Sequence, residues 1–318
     1  MTAMTALSPW PHRWAVLLCV LTFPLVFVGA LVTSTDAGMA VPDWPGTYGY
    51  NLFLYPWTTW LFGPWDLFIE HGHRLLASLV GLVAIVTLVV CVRTRAPRAV
   101  VWLAVGALVL VIAQGVLGGM RVVLGDRPLA MAHGCLGPLF FAWTALLWVR
   151  SSTGWARAAE PGTYRLARWT AAACGVTYVQ LCLGAFLRHV PGDPSPRAFG
   201  HAVLTHVTLA VVIVGLVGLV WLLSRRAPSK GLRQIATAMA WVAAAQFTLG
   251  LGSWAARYAL PGWVQAAAPT MTGSVGAAAA LGWTQSLVLT AHVAGGALLL
   301  ALSAAAALIA WRDAKDGH

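Results

Sequence analysis

Charge is what this sequence has least of. Only 9% of its 318 residues are Asp, Glu, Lys or Arg, against about 25% in an ordinary soluble domain. So little charge excludes a water-solvated surface for most of the chain. Acidic residues are the scarcer kind, nine against twenty Lys and Arg. The five cysteines, Cys19, Cys91, Cys135, Cys174 and Cys182, all fall inside apolar runs. None lies in an outer loop, so no disulfide framework is expected, and they read as small buried residues. Strict alternation of apolar and polar residues is also missing, which excludes a membrane β-barrel.

What the chain has instead is long apolar runs, in a sequence that is 59% hydrophobic. Eight of them, at about 14–34, 69–92, 99–120, 128–149, 166–187, 201–223, 234–256 and 284–311, approach or exceed the ~20 residues that cross a bilayer as a helix. The expectation is an all-α polytopic membrane protein with eight transmembrane helices. Its net charge of +11 does not point to nucleic acid. With the N-terminus inside, the cytoplasmic segments hold Arg13, Arg93, Arg95, Arg98, Arg150, Arg157, Arg165, Arg168, Arg225, Arg226, Lys230, Arg233, Arg312 and Lys315, fourteen of the twenty basic residues. That bias places both termini in the cytoplasm. The first run is too long for a signal peptide and lacks a small-residue cleavage site, so it is kept as a helix. No Arg- and Ser-rich transit segment precedes it, which favours a bacterial cytoplasmic membrane.

One pattern recurs three times, at Gln114-Gly-Val-Leu-Gly118, Gln180-Leu-Cys-Leu-Gly184 and Gln246-Phe-Thr-Leu-Gly250, spaced by 66 residues. A looser relative, Val28-Gly29-Ala30-Leu31, lies in the first run. Small residues there let helices, or a flat ligand, approach closely. Generic packing accounts for the glycines, but less well for the repeated Gln. The chain therefore divides into two tandem four-helix bundles in the same orientation, residues 1–150 and 151–318. Outer loop 1, about 35–68, is long and rich in Trp, Pro and Gly, and outer loops 3 (188–200) and 4 (257–283) are also substantial. The inner turns are short and basic, so function is expected at the outer face.

Four histidines start apolar segments near that face, two per half: His73, His133, His206 and His292. Intramembrane imidazoles are costly to desolvate and are usually functional. In Glu70-His71-Gly72-His73-Arg74, Glu70 and His73 share a helix face, while His71 points about 200° away from His73 and is expected to reach the headgroups or a loop. In the sixth run His201 and His206 lie five apart, about 140° around a helix, so only one of them can ligate. His206 is deeper and matches His73 in the repeat, and His201 stays open as the alternative. Pairs of facing imidazoles suit haem iron in a four-helix bundle. Zinc or copper would want a further ligand, and only the first half offers one, Glu70, because Val203 stands at the matching position. Glu70 reads as a base or a stabiliser of positive charge; the plainer account is an acidic residue favoured at a helix start.

Together, Gly29-Ala-Leu-Val-Thr-Ser-Thr-Asp36-Ala-Gly38-Met-Ala-Val-Pro42-Asp43-Trp44-Pro45, Glu70-His71-Gly72-His73-Arg74, Met120-Arg121-Val, His133, His206 and His292 resemble the haem A synthase family over essentially the whole chain. That resemblance implies an oxidoreductase that converts the C8 methyl of haem O to the formyl group of haem A, through an alcohol and a geminal diol that loses water. It implies substrate haem held by His73 and His133 beside Glu70, and a permanent haem b cofactor held by His206 and His292. A haem O synthase is the implied supplier of substrate. The alternatives are a dihaem b-type electron-transfer protein and a non-enzymatic haem-binding assembly factor.

Two departures from the family stand out. The loop cysteine pair of many relatives is absent, so no thiol step is expected there. Val207 follows His206 where many relatives have Arg, leaving Arg188, Arg197 or Arg257 as substitutes.

Overall fold

Each expected apolar run is a helix in the structure, a computed structural model describing residues 8–189, 196–258 and 282–316. The membrane helices are α1 (Trp10–Ser34), α3 (Trp65–Arg93), α4 (Arg98–Leu124), α5 (Arg127–Ser151), α7 (Tyr164–His189), α8 (Pro196–Ser224), α9 (Lys230–Tyr258) and α10 (Trp283–Asp316). Two short helices, α2 (Trp57–Phe62) and α6 (Thr153–Ala156), lie in loops. Among the described residues, eight helices are long and apolar enough to cross a membrane. All begin before the expected apolar run does. Hydropathy marks where the hydrocarbon-facing stretch starts, whereas the helix continues through the interfacial Trp, Tyr, Arg and Lys residues that precede it.

The ends follow local chemistry. Pro97 precedes α4, and Pro11 occupies the first turn of α1, where a missing N–H costs nothing. Between α4 and α5 the chain reverses in two residues. Gly125 takes a left-handed conformation (φ 61°), and the Asp126 carboxylate caps α5 by accepting the Leu129 N–H at 2.8 Å. This turn holds the α4 and α5 outer ends together.

Helices α1, α3, α4 and α5 pack in a ring, each on the next and α5 back on α1; α7, α8, α9 and α10 do the same. The rings meet where α10 packs on α1 and α5, and α5 on α7. Helix α10 is the most buried. Its alanines Ala304, Ala305, Ala306 and Ala310 let several backbones approach, as membrane packing without a hydrophobic driving force requires. At the outer end of this seam, Arg188 donates to the Ala30 carbonyl at 2.9 Å and the Ser34 hydroxyl at 2.7 Å. Ser286 and Thr290 of α10 bond to Ser34 as well, at 3.1 and 3.0 Å. Ser286 satisfies the Ser34 carbonyl, which the end of α1 would leave bare, and the Arg188 charge suits a helix C-terminus.

Candidate functional site

Four helix pairs repeat one packing device. A Cβ built on Gly29 would stand 2.8 Å from Cε1 of His73; on Gly118, 3.0 Å from His133; on Gly184, 3.3 Å from His206; on Gly250, 3.2 Å from His292. Each of the four histidines therefore lies on a glycine of the preceding membrane helix, in a seat that a side chain would fill. Three of the four pairs add a clamp. Gln114, Gln180 and Gln246 donate Nε2–H to the backbone carbonyls of His133, His206 and His292 at 3.1, 2.8 and 2.8 Å. The repeated Gln-x-x-x-Gly pattern is thus a histidine holder, Gln gripping the backbone and Gly seating the ring.

All four histidines line one cavity of about 2060 Å³, walled largely by apolar residues. Single cofactor sites usually occupy about 300–1,000 Å³, so this volume accommodates two large ligands. The ring centres of His206 and His292 stand 6.5 Å apart, with planes at 67°. Two metal–imidazole bonds of about 2.0–2.1 Å place ring centres roughly 6.4 Å apart, so this pair fits one iron between two imidazoles. His133 Nδ1 lies 3.2 Å from the Gln114 carbonyl, which leaves its Nε2 as the lone-pair nitrogen when Nδ1 donates. Nδ1 of His73, His206 and His292 and Oε1 of all three glutamines are buried without a partner among the described residues, an uncommon state for polar atoms outside a ligand site. Among those residues no cluster of three or more His, Cys, Asp or Glu has metal-holding geometry.

Outer loop 1 closes the first half. Glu70 is 2% exposed; its Oε2 accepts the Val41 N–H and its Oε1 the Arg74 guanidinium, both at 2.9 Å. Arg74 also donates to the carbonyls of Val41, Asp43 and Gly46 at 2.9, 2.7 and 2.9 Å. The Asp43 carboxylate accepts the N–H groups of Tyr48 and Gly49 at 2.7 and 2.9 Å, where both residues have positive φ. Burial pushes the Asp43 carboxyl up, but those two donors, with the Arg74 charge, outweigh it and hold it below the usual carboxylate range. Trp44 lies on Gly119, so close that a Cβ there would be 2.1 Å from its indole, and it lines the cavity. Adjacent glycines of α4 thus seat two rings, His133 on Gly118 and Trp44 on Gly119.

The structure brings together Glu70, His73, His133, His206 and His292 on the cavity wall. His201 is exposed, off that wall, and its carbonyl accepts the Thr205 hydroxyl. His71 reaches the loop, as expected, but is buried there: it meets the Thr47 hydroxyl at 2.9 Å and packs on Tyr55 and Trp60. Of the substitute arginines, Arg188 lines the cavity, Arg197 is exposed, and the side chain of Arg257 lies outside the described residues. So do residues 190–195 of loop 3 and 259–281 of loop 4. Among the cysteines Cys19 and Cys91 are buried, whereas Cys135, Cys174 and Cys182 are only partly so.

Sequence reasoning missed one wall residue. Arg121 lies against Gly38 and Trp44 on Gly119, both within motifs that carried the family resemblance, whereas His189 of α7 reaches across to Gly134 of α5, its Nε2 3.8 Å from where a Cβ there would stand. His189 closes the fifth apolar run directly after Arg188, where a polar pair reads as the end of a helix.

Comparison with known proteins agrees with this geometry. A family model described as cytochrome oxidase assembly protein matches residues 12–60 and 64–192, more than half the chain. The haem A synthase of Shewanella oneidensis is 27% identical over 186 residues, 52% of this chain and 53% of the relative. That of Symbiobacterium thermophilum is 31% identical over 178 residues, 52% and 55% of the two chains. That of Shouchella clausii is 35% identical over 122 residues, 37% and 38%. In the first two of these matches the chain spans about half the length of the curated relative. With the family match covering most of α1 to α7, the chain belongs to the cytochrome oxidase assembly protein family, the haem A synthase family that its histidine and loop motifs resemble.

Proposed function

We propose that the protein is a haem A synthase of the bacterial cytoplasmic membrane, with both termini cytoplasmic, which oxidises the C8 methyl of haem O to a formyl group. The observation that carries this reading is a cavity with a glycine-seated histidine pair in each half and, among the described residues, a buried carboxylate on its wall only in the first half. Residues 1–150 form the substrate half, in which His73 and His133 hold haem O. Residues 151–318 form the electron-transfer half, in which His206 and His292 hold haem b; that group supplies one-electron chemistry when bound. The 6.5 Å separation of His206 and His292 supports an iron between them.

Taking a methyl carbon to a formyl carbon adds one oxygen atom, from water, and removes four protons and four electrons in two stages, the electrons leaving to an external electron acceptor. Positive charge developing at the reacting carbon is stabilised by a carboxylate fixed in a largely apolar cavity. Glu70 suits that role. A carboxylate offers about four acceptor positions, and the Val41 N–H and Arg74 engage one on each oxygen, so Glu70 is held in place yet keeps lone pairs for the cavity. A haem O synthase hands over the substrate, a lipophilic molecule taken up at the membrane.

Expression with a source of haem O, followed by extraction and chromatography of the haems, tests the proposal. Haem A from the native chain, lost in His73→Ala and reduced about 100-fold or more in Glu70→Gln, is the expected result, on the scale of a lost acid–base group. Haem A at native levels in both variants sinks the site assignment. Haem b alone from the native chain indicates an electron-transfer protein instead.

A further inference from the structure

One stretch of loop 1 carries no charge and turns its apolar side chains outward. Residues 44–65 hold no Asp, Glu, Lys or Arg. Within them Phe53, Leu54, Trp57, Leu61 and Phe62 are all exposed, Phe62 by 81% and Leu54 by 76%. An apolar patch of that extent is foreign to a water-facing loop and marks a surface that something apolar covers. The patch is held in a fixed place. Trp60 of α2 turns toward α3, where its indole N–H donates to the Phe68 carbonyl at 3.0 Å. The same ring stacks on Phe68 at 5.9 Å, meets His71 at 5.4 Å and lies over Gly72. Tyr55 packs on His71 as well, at 5.1 Å. Among the described residues α2 packs on α3 and on no other helix.

That seat on α3 decides what covers the patch. Phe68, Gly72, Leu75, Leu79 and Leu82 follow one another at steps of four and three, so they form one stripe along the helix. The deeper part of the stripe is open. Leu79 and Leu82 are exposed, and among the described residues α3 packs only on α1, α2 and α4. On a membrane-spanning helix an apolar face left open by its neighbours meets acyl chains. Helix α2 therefore sits on the outer end of a lipid-facing stripe, and its free side continues that surface. Depth agrees. The 29 residues of α3 span about 43 Å, close to a bilayer with its headgroups. Phe68 to Gly72 lie roughly 5–10 Å from the outer end of the helix, at the boundary of headgroups and hydrocarbon. Interfacial segments lie at that boundary, and Trp is favoured there. A protein partner would look for a polar rim, and residues 44–65 offer it no charged side chain. We propose that α2 and the residues just before it form an interfacial foot, lodged among phospholipid acyl chains at the outer headgroup level. Loop 1 is then fixed on two sides, by lipid outside and by its bonds to Glu70 and Arg74 inside.

Fluorine NMR of the full chain in phosphatidylcholine nanodiscs tests this, with 4-trifluoromethylphenylalanine in place of Phe62. The same label in place of Leu82 reports the lipid-facing stripe. In place of Glu160, an exposed residue between α6 and α7, it reports water. Line broadening is read with a nitroxide on acyl carbon 5, with one on acyl carbon 16, and with a water-soluble gadolinium chelate. At position 62 the carbon-5 nitroxide should broaden the signal about threefold more than the chelate, as an interfacial depth requires. Position 82 should respond most to the carbon-16 nitroxide, and position 160 to the chelate alone. Trp60→Ala removes the packing on α3 and should raise the chelate effect at position 62 about twofold, because a stacked aromatic ring is lost. The label in place of Trp57 repeats the reading if the Phe62 replacement does not fold. Chelate broadening at position 62 equal to that at position 160 overturns the proposal, because the loop is then in water. Shielding from both nitroxides and the chelate overturns it too and marks a protein cover, a second copy or another chain. An unchanged chelate effect in Trp60→Ala overturns the seat of α2 on α3.

Discussion

The α1–α3 pair and the α7–α8 pair are the same device built with different anchors. Both lay a histidine on a glycine, His73 on Gly29 and His206 on Gly184. In the second pair the backbone is gripped by Gln180, and Val203 and Val207 stand at the positions of Glu70 and Arg74. In the first, Leu25, four residues before Gly29, offers no grip, and the Glu70–Arg74 pair reaches out to a folded loop. A tandem repeat therefore keeps the contact that seats a ring while it exchanges the contact that fixes the helix.

That comparison breaks first at the seats. Gly29→Leu crowds the closest of the four contacts, and complete loss of first-half haem is expected with second-half haem retained, measured by haem content and reduced-minus-oxidised spectra. A milder series, Gly29→Ala against Gly184→Ala, should show a larger loss for the first, because its added carbon would meet His73 at 2.8 Å and the other would meet His206 at 3.3 Å. Equal effects would mean that the seats do not set ring placement.

Next in size is Arg74→Ala. Its partner Glu70 is 3% exposed and Arg74 11%, so removing the arginine strands a buried carboxylate at a cost of about 3 kcal/mol. The counterpart Val207→Ala, at a half-exposed position, should stay within about 0.5 kcal/mol. Thermal unfolding in detergent compares them. Gln180→Leu falls between, at about 1 kcal/mol for one hydrogen bond, and should lower haem retention in the second half alone.

The smallest effect concerns Asp43. Its carboxyl is held below the usual range in the folded loop, so its contribution is present above the unfolded value of about 3.9. It is lost as pH falls through the lower folded value. Limited proteolysis between residues 43 and 60 should accelerate on that acid side in the native chain, and Asp43→Asn should remove the dependence. A loop equally resistant at every pH would show that Asp43 does not hold it.

Much of this architecture was legible beforehand because membrane helices announce themselves through length and apolarity. The repeated Gln and Gly were visible at their 66-residue spacing, and the four histidines at their matched depth. What the repeat did was not visible: a Gln Nε2 that meets a histidine carbonyl on another helix leaves no trace in either segment read alone. Leu25 was overlooked because an absence in a repeat counts only once the function of the repeated residue is known. Glu70 was read as sharing a helix face with His73, yet its bond to Val41 belongs to how loop 1 folds back, which no local periodicity encodes. His189 was missed because it reaches its neighbour across the seam between rings.

By itself the sequence determined the solvent of the fold, the number of membrane helices and which helix carries each histidine. The reason is that a bilayer forces every spanning segment to satisfy its own backbone, which makes each one readable in isolation. Only the tertiary structure decided that His206 rather than His201 faces the cavity, that each ring rests on a glycine, and that Glu70 and Arg74 beside His73 are tied to loop 1. Those outcomes depend on contacts between segments tens of residues apart, set by how rings of helices close and by which small residues let them come near.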